Sequence, residues 1–199
     1  MVLKNPTEFE KEKTIVYFVR HGNRIHIPNS PGIGTKIPGP GLSEQGKKQA
    51  QALAKEFSII KKSIDIVYTS SMKRAIETAK IINETINKRI KKIPALSEVE
   101  SIVWLKKYHK PKYWKQKLLM RKAIKAIDDI LRKDKKKVIL IVAHGNIIKG
   151  FLSHKMRLKH GQAWKMGSTN CGVTKARFKD IKLDYLYFYN NTGKGCLID

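Results

Sequence analysis

Acidic residues are scarce in this chain. Sixteen Asp and Glu stand against forty-two Lys and Arg in 199 residues, a formal net charge of +26. A surface of that sign draws polyanions and speeds encounter with acidic ligands without naming one. Nucleic acid, anionic membrane and phosphorylated metabolites all fit, as does a plain lysine-rich solvated surface. Cysteine is nearly absent. Cys171 and Cys196 lie far apart and fit no zinc spacing, so they read as free buried thiols and not as a disulfide. Long apolar runs are missing too. The longest, Val138–Ala143, is strand-sized, whereas a membrane helix needs about 20 apolar residues. The opening MVLKNPTEFEKEK has no apolar core of a secretory signal. These absences lead to the expectation of a cytoplasmic protein without a membrane segment. With 41% hydrophobic residues, the chain suits one globular domain over residues 1–199.

Residues 1–13 are polar and read as a loose end. Thr14–Val19 is a continuous β-branched and aromatic run, the pattern of a strand buried on both faces. It stops abruptly at Arg20-His21-Gly22-Asn23. A proline- and glycine-rich stretch without periodicity follows, to Gly41. Ser43 is a good helix N-cap, and the helix to Phe57 would place Ala50, Leu53, Ala54 and Phe57 on one face. Ile64–Tyr68 reads as a strand, Met72–Asn87 as a helix and Ile93–Leu96 as a short extended piece ending at Glu98. Helical spacing returns over Leu118–Leu131. Val138–Ala143 is the third buried strand, followed by a helix over Ile147–Met156. Two strands are expected around Val173–Phe178 and Leu183–Tyr189. Alternation of this kind predicts an α/β fold: a three-layer sandwich whose mostly parallel central sheet carries helices on both faces.

The tripeptide His-Gly-Asn occurs twice, at 21–23 and 144–146, each time after an apolar strand. Open α/β sheets bind ligands beyond the carboxyl ends of their strands. Arg20, His21, Ser70, Glu98 and His144 all follow expected strand ends, so the fold logic gathers them at one edge. Two histidines among arginines suit phosphoryl transfer better than metal binding, because fixed positive charge repels a divalent cation. A neutral imidazole can act as a covalent nucleophile, and guanidinium groups match phosphate oxygens. Arg20, Arg74 and His144 could supply the positive charge that a transferring phosphoryl group requires. Gly22 would let the backbone approach a ligand closely. Ser70 reads as a cap for the following helix, and Asn170 as a turn residue.

At this point a resemblance to a known family is plain. Val19-Arg20-His21-Gly22 resembles the N-terminal RHG motif of the histidine phosphatase superfamily, also called phosphoglycerate mutase-like. GLSEQGKKQA (41–50), SSMKRAIETA (70–79), ALSE (95–98) and VAHGNIIKGFL (142–152) are similar to four further blocks of that family, in the family's order. The resemblance spans residues 14–155. It implies that His21 is the nucleophile and forms a phosphohistidine. Arg20, Arg74 and His144 would hold the transferring phosphoryl group, and Gly22 and Asn23 would add donors to it. Glu98 would protonate the leaving oxygen and then activate water, with Glu100 two residues on as the competing choice. No metal and no cofactor is implied.

Two departures bear on the substrate. Asn23 and Arg24 stand where the family often has Glu-Thr. After Glu98 the family's aromatic-glycine stretch is replaced by a segment, Trp104–Lys125, with nine basic residues, no acidic one and interleaved aromatics. Residues 104–121 are expected to be an insertion that covers the active site. The expected substrates are phosphorylated small molecules or phosphoproteins. Phosphoglycerate mutase-type transfer is the second enzymatic reading. A catalytically silent, nucleic-acid-binding module is the third; it is disfavoured because no nucleic-acid motif is present. Composition says nothing of oligomeric state.

Overall fold

A computed structural model of the chain describes residues 3–26, 38–100, 111–159, 162–163 and 165–192. A short helix α1 (Glu8–Lys11) leads into strand β1 (Thr14–Arg20). Helix α2 (Glu44–Ser58), strand β2 (Ile66–Thr69), helix α3 (Lys73–Ile86) and strand β3 (Ile90–Lys92) follow. After a 3₁₀ turn at Pro94–Leu96 come helix α4 (Tyr113–Lys133), strand β4 (Val138–Ala143), helix α5 (Gly145–Lys155), and strands β5 (Val173–Lys179) and β6 (Lys182–Asn191). The strands form one six-stranded sheet in the order β3-β2-β4-β1-β5-β6. The first four run parallel; β5 is antiparallel to β1, and β6 to β5. The sheet is therefore mixed, mostly parallel as expected, with an antiparallel pair on one side.

β1 and β4 are buried on both faces because both occupy the middle of the sheet. Alternate side chains serve the two layers. Ile15, Tyr17 and Val19 pack with Leu53 and Phe57 of α2 and with Ala79 and Ile82 of α3. Val16 and Phe18 pack on the other face with Ile127 and Leu131 of α4 and with Ile148 and Phe151 of α5. Helices thus cover both faces, which gives the three layers. The apolar face read for α2 is the buried one, and Ser43 caps it by accepting a hydrogen bond from Gly46 N–H at 3.1 Å. No helix among the described residues is long and apolar enough to cross a membrane.

Several local expectations need correction. The polar N-terminal segment is not loose. Thr7 and Glu10 form a capping box on α1, Leu3 is buried, and Lys175 Nζ donates to Glu10 Oε1 at 2.7 Å. Burial alone would raise the Glu10 carboxyl; the Lys175 ammonium and the Tyr187 hydroxyl outweigh it and hold it near 2. The extended piece placed at Ile93–Leu96 lies earlier, at Ile90–Lys92, because Pro94 opens a 3₁₀ turn. α4 starts at Tyr113, five residues before its apolar periodicity shows. Its first buried position is the polar Gln116, whose Oε1 accepts from the Glu100 N–H at 3.1 Å. Of the segment expected to cover the site, residues 104–110 lie outside the described residues, and 113–121 form the first half of α4.

Candidate active site

Strand register brings the two histidine tripeptides together. β1 and β4 pair in parallel with Arg20 opposite Ala143, and the ladder continues one step, His21 N–H donating to the Ala143 carbonyl at 3.0 Å. His21 and His144 therefore leave adjacent strands at the same level, their ring centroids 5.1 Å apart. β2, on the far side of β4, ends one residue before Ser70. The reversed direction of β5 brings residues 168–171 back to the same edge, where Cys171 N–H donates to the Arg20 carbonyl at 3.0 Å. Helices α3 and α5 both begin here, so the positive ends of two helix dipoles point toward the site.

The protonation state of His21 can be read from its partners. Its Nδ1 lies 2.7 Å from the Gly22 carbonyl, an acceptor, so Nδ1 carries the proton. Nε2 is then the lone-pair nitrogen, and it accepts from Arg74 Nε at 3.0 Å. Burial first, then the Arg74 and Arg20 charges, push the His21 pKa down to about 3. The ring is neutral at physiological pH, with its unprotonated nitrogen turned to the Arg74 guanidinium. His144 is also held neutral, by burial and by the neighbouring His21 and arginines. Its Nε2 is 2.8 Å from Ser70 Oγ. With the hydroxyl donating there, the His144 proton sits on Nδ1, which is buried without a hydrogen-bond partner and lies 3.8 Å from Glu98 Oε2.

Glu98 stands across from His144 with 9% of its side chain exposed. Burial raises its carboxyl to about 7, against the pull of Arg74 and Arg20. Asn146 keeps this loop in place, Nδ2 donating to the Val99 carbonyl at 2.8 Å. Glu100, the competing choice, turns away and pairs with Lys112. The structure therefore brings Arg20, His21, Arg74, Glu98 and His144 together, and Glu98 is the carboxyl at the cleft. The cleft has a volume of about 390 Å³; Arg20, His21, Arg74 and Glu98 line it with Asn23, Arg24 and Lys149, and His144 lies buried behind them. Arg20 donates from Nη1 to the Ser168 carbonyl, while its Nε is buried without a partner.

Other expectations change in detail. Gly22 is a glycine for packing reasons: a Cβ there would come within 2.5 Å of the Gly46 carbonyl, and one on Gly46 within 1.9 Å of the Asn23 carbonyl. The Gly22 N–H donates to Thr78 Oγ1 at 3.1 Å, and the Asn23 N–H to Gln49 Oε1 at 2.8 Å. Both backbone donors expected to face a ligand are thus committed to the frame, and the Asn23 amide donates to Gln45. Ser70 does not act chiefly as a helix cap; the N-cap of α3 is Met72, and the Ser70 hydroxyl orients His144. Asn170 supports the His21 backbone, Nδ2 donating to the His21 carbonyl at 3.0 Å. Sequence reasoning missed Asn146 and Lys149. The second His-Gly-Asn was visible, but that its asparagine reaches the loop of Glu98 depends on how β4 sits relative to that loop. The close approach of the first loop to α2 has a measurable consequence. Gly46→Ala should cost about 1–3 kcal/mol or more by overpacking, and calorimetry should show a melting temperature lower by several degrees.

Ligating atoms of His21, Glu98 and His144 fall within 4.8 Å of one another, a spacing that a cation could use. The donor chemistry opposes it. Arg74 already donates to the His21 nitrogen a metal would need, and two guanidinium groups share the same space. The set suits an anion.

Known proteins are similar to this chain at the level of family and fold. Phosphoserine phosphatase 1 of Hydrogenobacter thermophilus is 40% identical over 65 residues, 33% of this chain and 30% of that protein. The chain's match spans about a third of the length of the curated relatives to which it is 40% identical. Among solved structures, Bacillus stearothermophilus YhfR aligns with a TM-score of 0.75 at 19% identity, over 90% of this chain and 98% of that one. A phosphoserine phosphatase from Entamoeba histolytica aligns with a TM-score of 0.68 at 20% identity, over 90% and 98% of the two chains. Both are likenesses of fold. The model of the histidine phosphatase superfamily (branch 1) matches residues 16–117 and 104–191. With far more than half of its length matched, this chain belongs to the histidine phosphatase superfamily.

Proposed function

We propose that the protein is a metal-independent phosphomonoesterase that hydrolyses phosphorylated small molecules through a phosphohistidine on His21. One observation carries the reading. Two buried nitrogens without hydrogen-bond partners, Arg20 Nε and His144 Nδ1, flank a neutral imidazole whose unprotonated Nε2 accepts from Arg74 beside the cleft. Buried donors are almost always satisfied, and phosphoryl oxygens would satisfy these while their phosphorus lay within reach of His21 Nε2.

The steps follow from the proton positions. Nε2 attacks phosphorus in line, and the bond to the ester oxygen breaks. Arg20, Arg74 and the His144 N–H hold the charge spread over the equatorial oxygens. Glu98, protonated, gives its proton to the departing alkoxide. The resulting carboxylate takes a proton from water, the water oxygen attacks phosphorus, the P–N bond breaks, and inorganic phosphate leaves with His21 neutral again. A mutase would replace the water with a second alcohol. Release of phosphate from p-nitrophenyl phosphate without added metal is the test that separates the two.

The role of Glu98 sets the pH dependence. The active free enzyme needs Glu98 protonated, so kcat/KM for an alkyl phosphate should fall as pH rises through about 7. On the acid side, His21 titrates near 3. The second ionisation of the substrate phosphate, about 6, should therefore set that limb. In Glu98→Gln the alkaline limb should vanish, and the loss should be about 10²–10⁴-fold for alkyl esters but much smaller for p-nitrophenyl phosphate, whose leaving group needs no proton. Equal losses on both substrates would remove Glu98 from the acid's role.

A further inference from the structure

Exposed apolar side chains are ordinary one at a time and informative in groups. Seven large hydrophobic residues are exposed among the described residues, and three of them, Trp114, Leu118 and Leu119, fall within six consecutive positions of α4. Trp114 is 71% exposed and Leu118 53%. They lie one turn apart, on a stripe that continues through Arg121 and Lys125. The opposite face, with Gln116, Met120, Ala123 and Ile127, is the one that packs into the protein. Lys115 and Lys122 flank the stripe and are exposed as well. Residues 113–127 hold five basic side chains and no acidic one. The first exposed carboxylate on the helix is Asp129, already paired with Lys125 and Arg132.

Charge and shape narrow what can cover this face. A second copy would bring an equally basic face against it, and like charges repel. Nucleic acid would answer the charge, but it binds exposed aromatics by stacking bases on an open ring face. Lys117 Nζ stands over the Trp114 ring, 4.8 Å from its centroid, and Tyr113 meets that ring nearly edge-on at 5.0 Å. Two exposed leucines offer a base nothing to stack on. An anionic bilayer answers every part. Its headgroups attract lysine and arginine, indole favours the membrane–water boundary, and leucine gains by entering the edge of the acyl region. We propose that the exposed face of α4 docks the protein on an anionic lipid surface, the helix lying flat with Trp114 and Leu118 dipping in and Lys115, Arg121 and Lys122 among the headgroups. The docking is peripheral, since the other face of α4 stays in the core. It goes beyond the phosphatase reading and does not depend on it.

The experiment is sedimentation of the full chain with vesicles of phosphatidylcholine, alone or mixed with phosphatidylserine, at fixed ionic strength. The wild-type protein should partition onto the mixed vesicles about 10- to 100-fold more strongly, the worth of two or three basic side chains near such a surface. A net charge of +26 would by itself draw the protein there, so the variants decide. Lys115→Gln/Arg121→Gln/Lys122→Gln should lose about 10-fold or more of that affinity. Lys48→Gln/Lys55→Gln/Lys80→Gln removes the same charge from exposed positions of α2 and α3, on the other face of the sheet, and should lose far less. Trp114→Gln/Leu118→Gln leaves the charge untouched and should lose about 10-fold or more. Thermal melting shows that each variant keeps its fold. Equal losses in the two triple variants, or a double variant that binds vesicles like the wild type, means adsorption by overall charge and overturns the proposal. A single-stranded oligonucleotide is titrated in parallel. If the double variant weakens oligonucleotide binding and leaves vesicle binding unmoved, the face belongs to nucleic acid and the proposal falls.

Discussion

Replacing His21 with alanine should reduce phosphatase turnover by roughly 10⁴–10⁶-fold, the scale seen when a covalent nucleophile is removed. It should also abolish the acid-labile phosphoryl label that wild-type protein takes from a ³²P-labelled substrate in a rapid acid quench. The expectation follows from the ring's wiring. Nδ1 is committed to the Gly22 carbonyl, so Nε2 is the unprotonated nitrogen, and it accepts from Arg74 Nε at the edge of the cleft. His144 cannot stand in. Its Nε2 is engaged by Ser70, and with that hydroxyl donating its Nδ1 carries the proton. Persistence of a labile label in His21→Ala would transfer the nucleophile to another residue and end the proposed mechanism.

The second large effect is expected at Arg74. Arg74→Lys should lower kcat by about 10²–10³-fold, comparable to removing one preorganised donor from an oxyanion site, with a much smaller change in KM. The residue is buried in the first turn of α3, and burial, partly offset by Glu98, brings its pKa down to about 10. A guanidinium does two things there that an ammonium cannot. Its Nε keeps the His21 imidazole in orientation at 3.0 Å, while its remaining N–H groups are a planar fork for phosphate oxygens. Steady-state kinetics on p-nitrophenyl phosphate checks this directly. A lysine variant with wild-type kcat and only a raised KM would mean that Arg74 binds substrate without stabilising the transition state.

Much of the site was legible because its residues follow the strongest local signal in the chain. TIVYFV and VILIVA are uninterrupted apolar runs, and such runs are strands at the centre of a sheet. Residues just past their ends, Arg20, His21 and His144, must then meet at one edge. Glu98 was gathered at that edge by the same logic, and its role as an acid came through family resemblance. The supporting contacts could not be read in that way. Ser70 looked like a helix cap because its sequence neighbours suit one, but the partner that decides its role lies across two strands. Glu10 looked like part of a charged tail, since its lysine lies 165 residues away. Gly22 was correctly marked as a close approach, yet the approaching group is Gly46 of α2 and not a ligand. In each case the long-range partner that decides the role was hidden.

The reversed direction of β5 has a consequence for the order in which the molecule is made. His21, His144, Arg20, Arg74 and Glu98 have all been synthesised by residue 144, about three-quarters of the way along the chain. The carbonyl of Ser168 that receives Arg20, and the Asn170 amide that props the His21 backbone, arrive only with the polypeptide entering β5. A nascent chain that has not yet paired β5 with β1 carries every side chain of the proposed reaction but leaves Arg20 unanchored. Competence should therefore switch on late, when the last antiparallel pair closes.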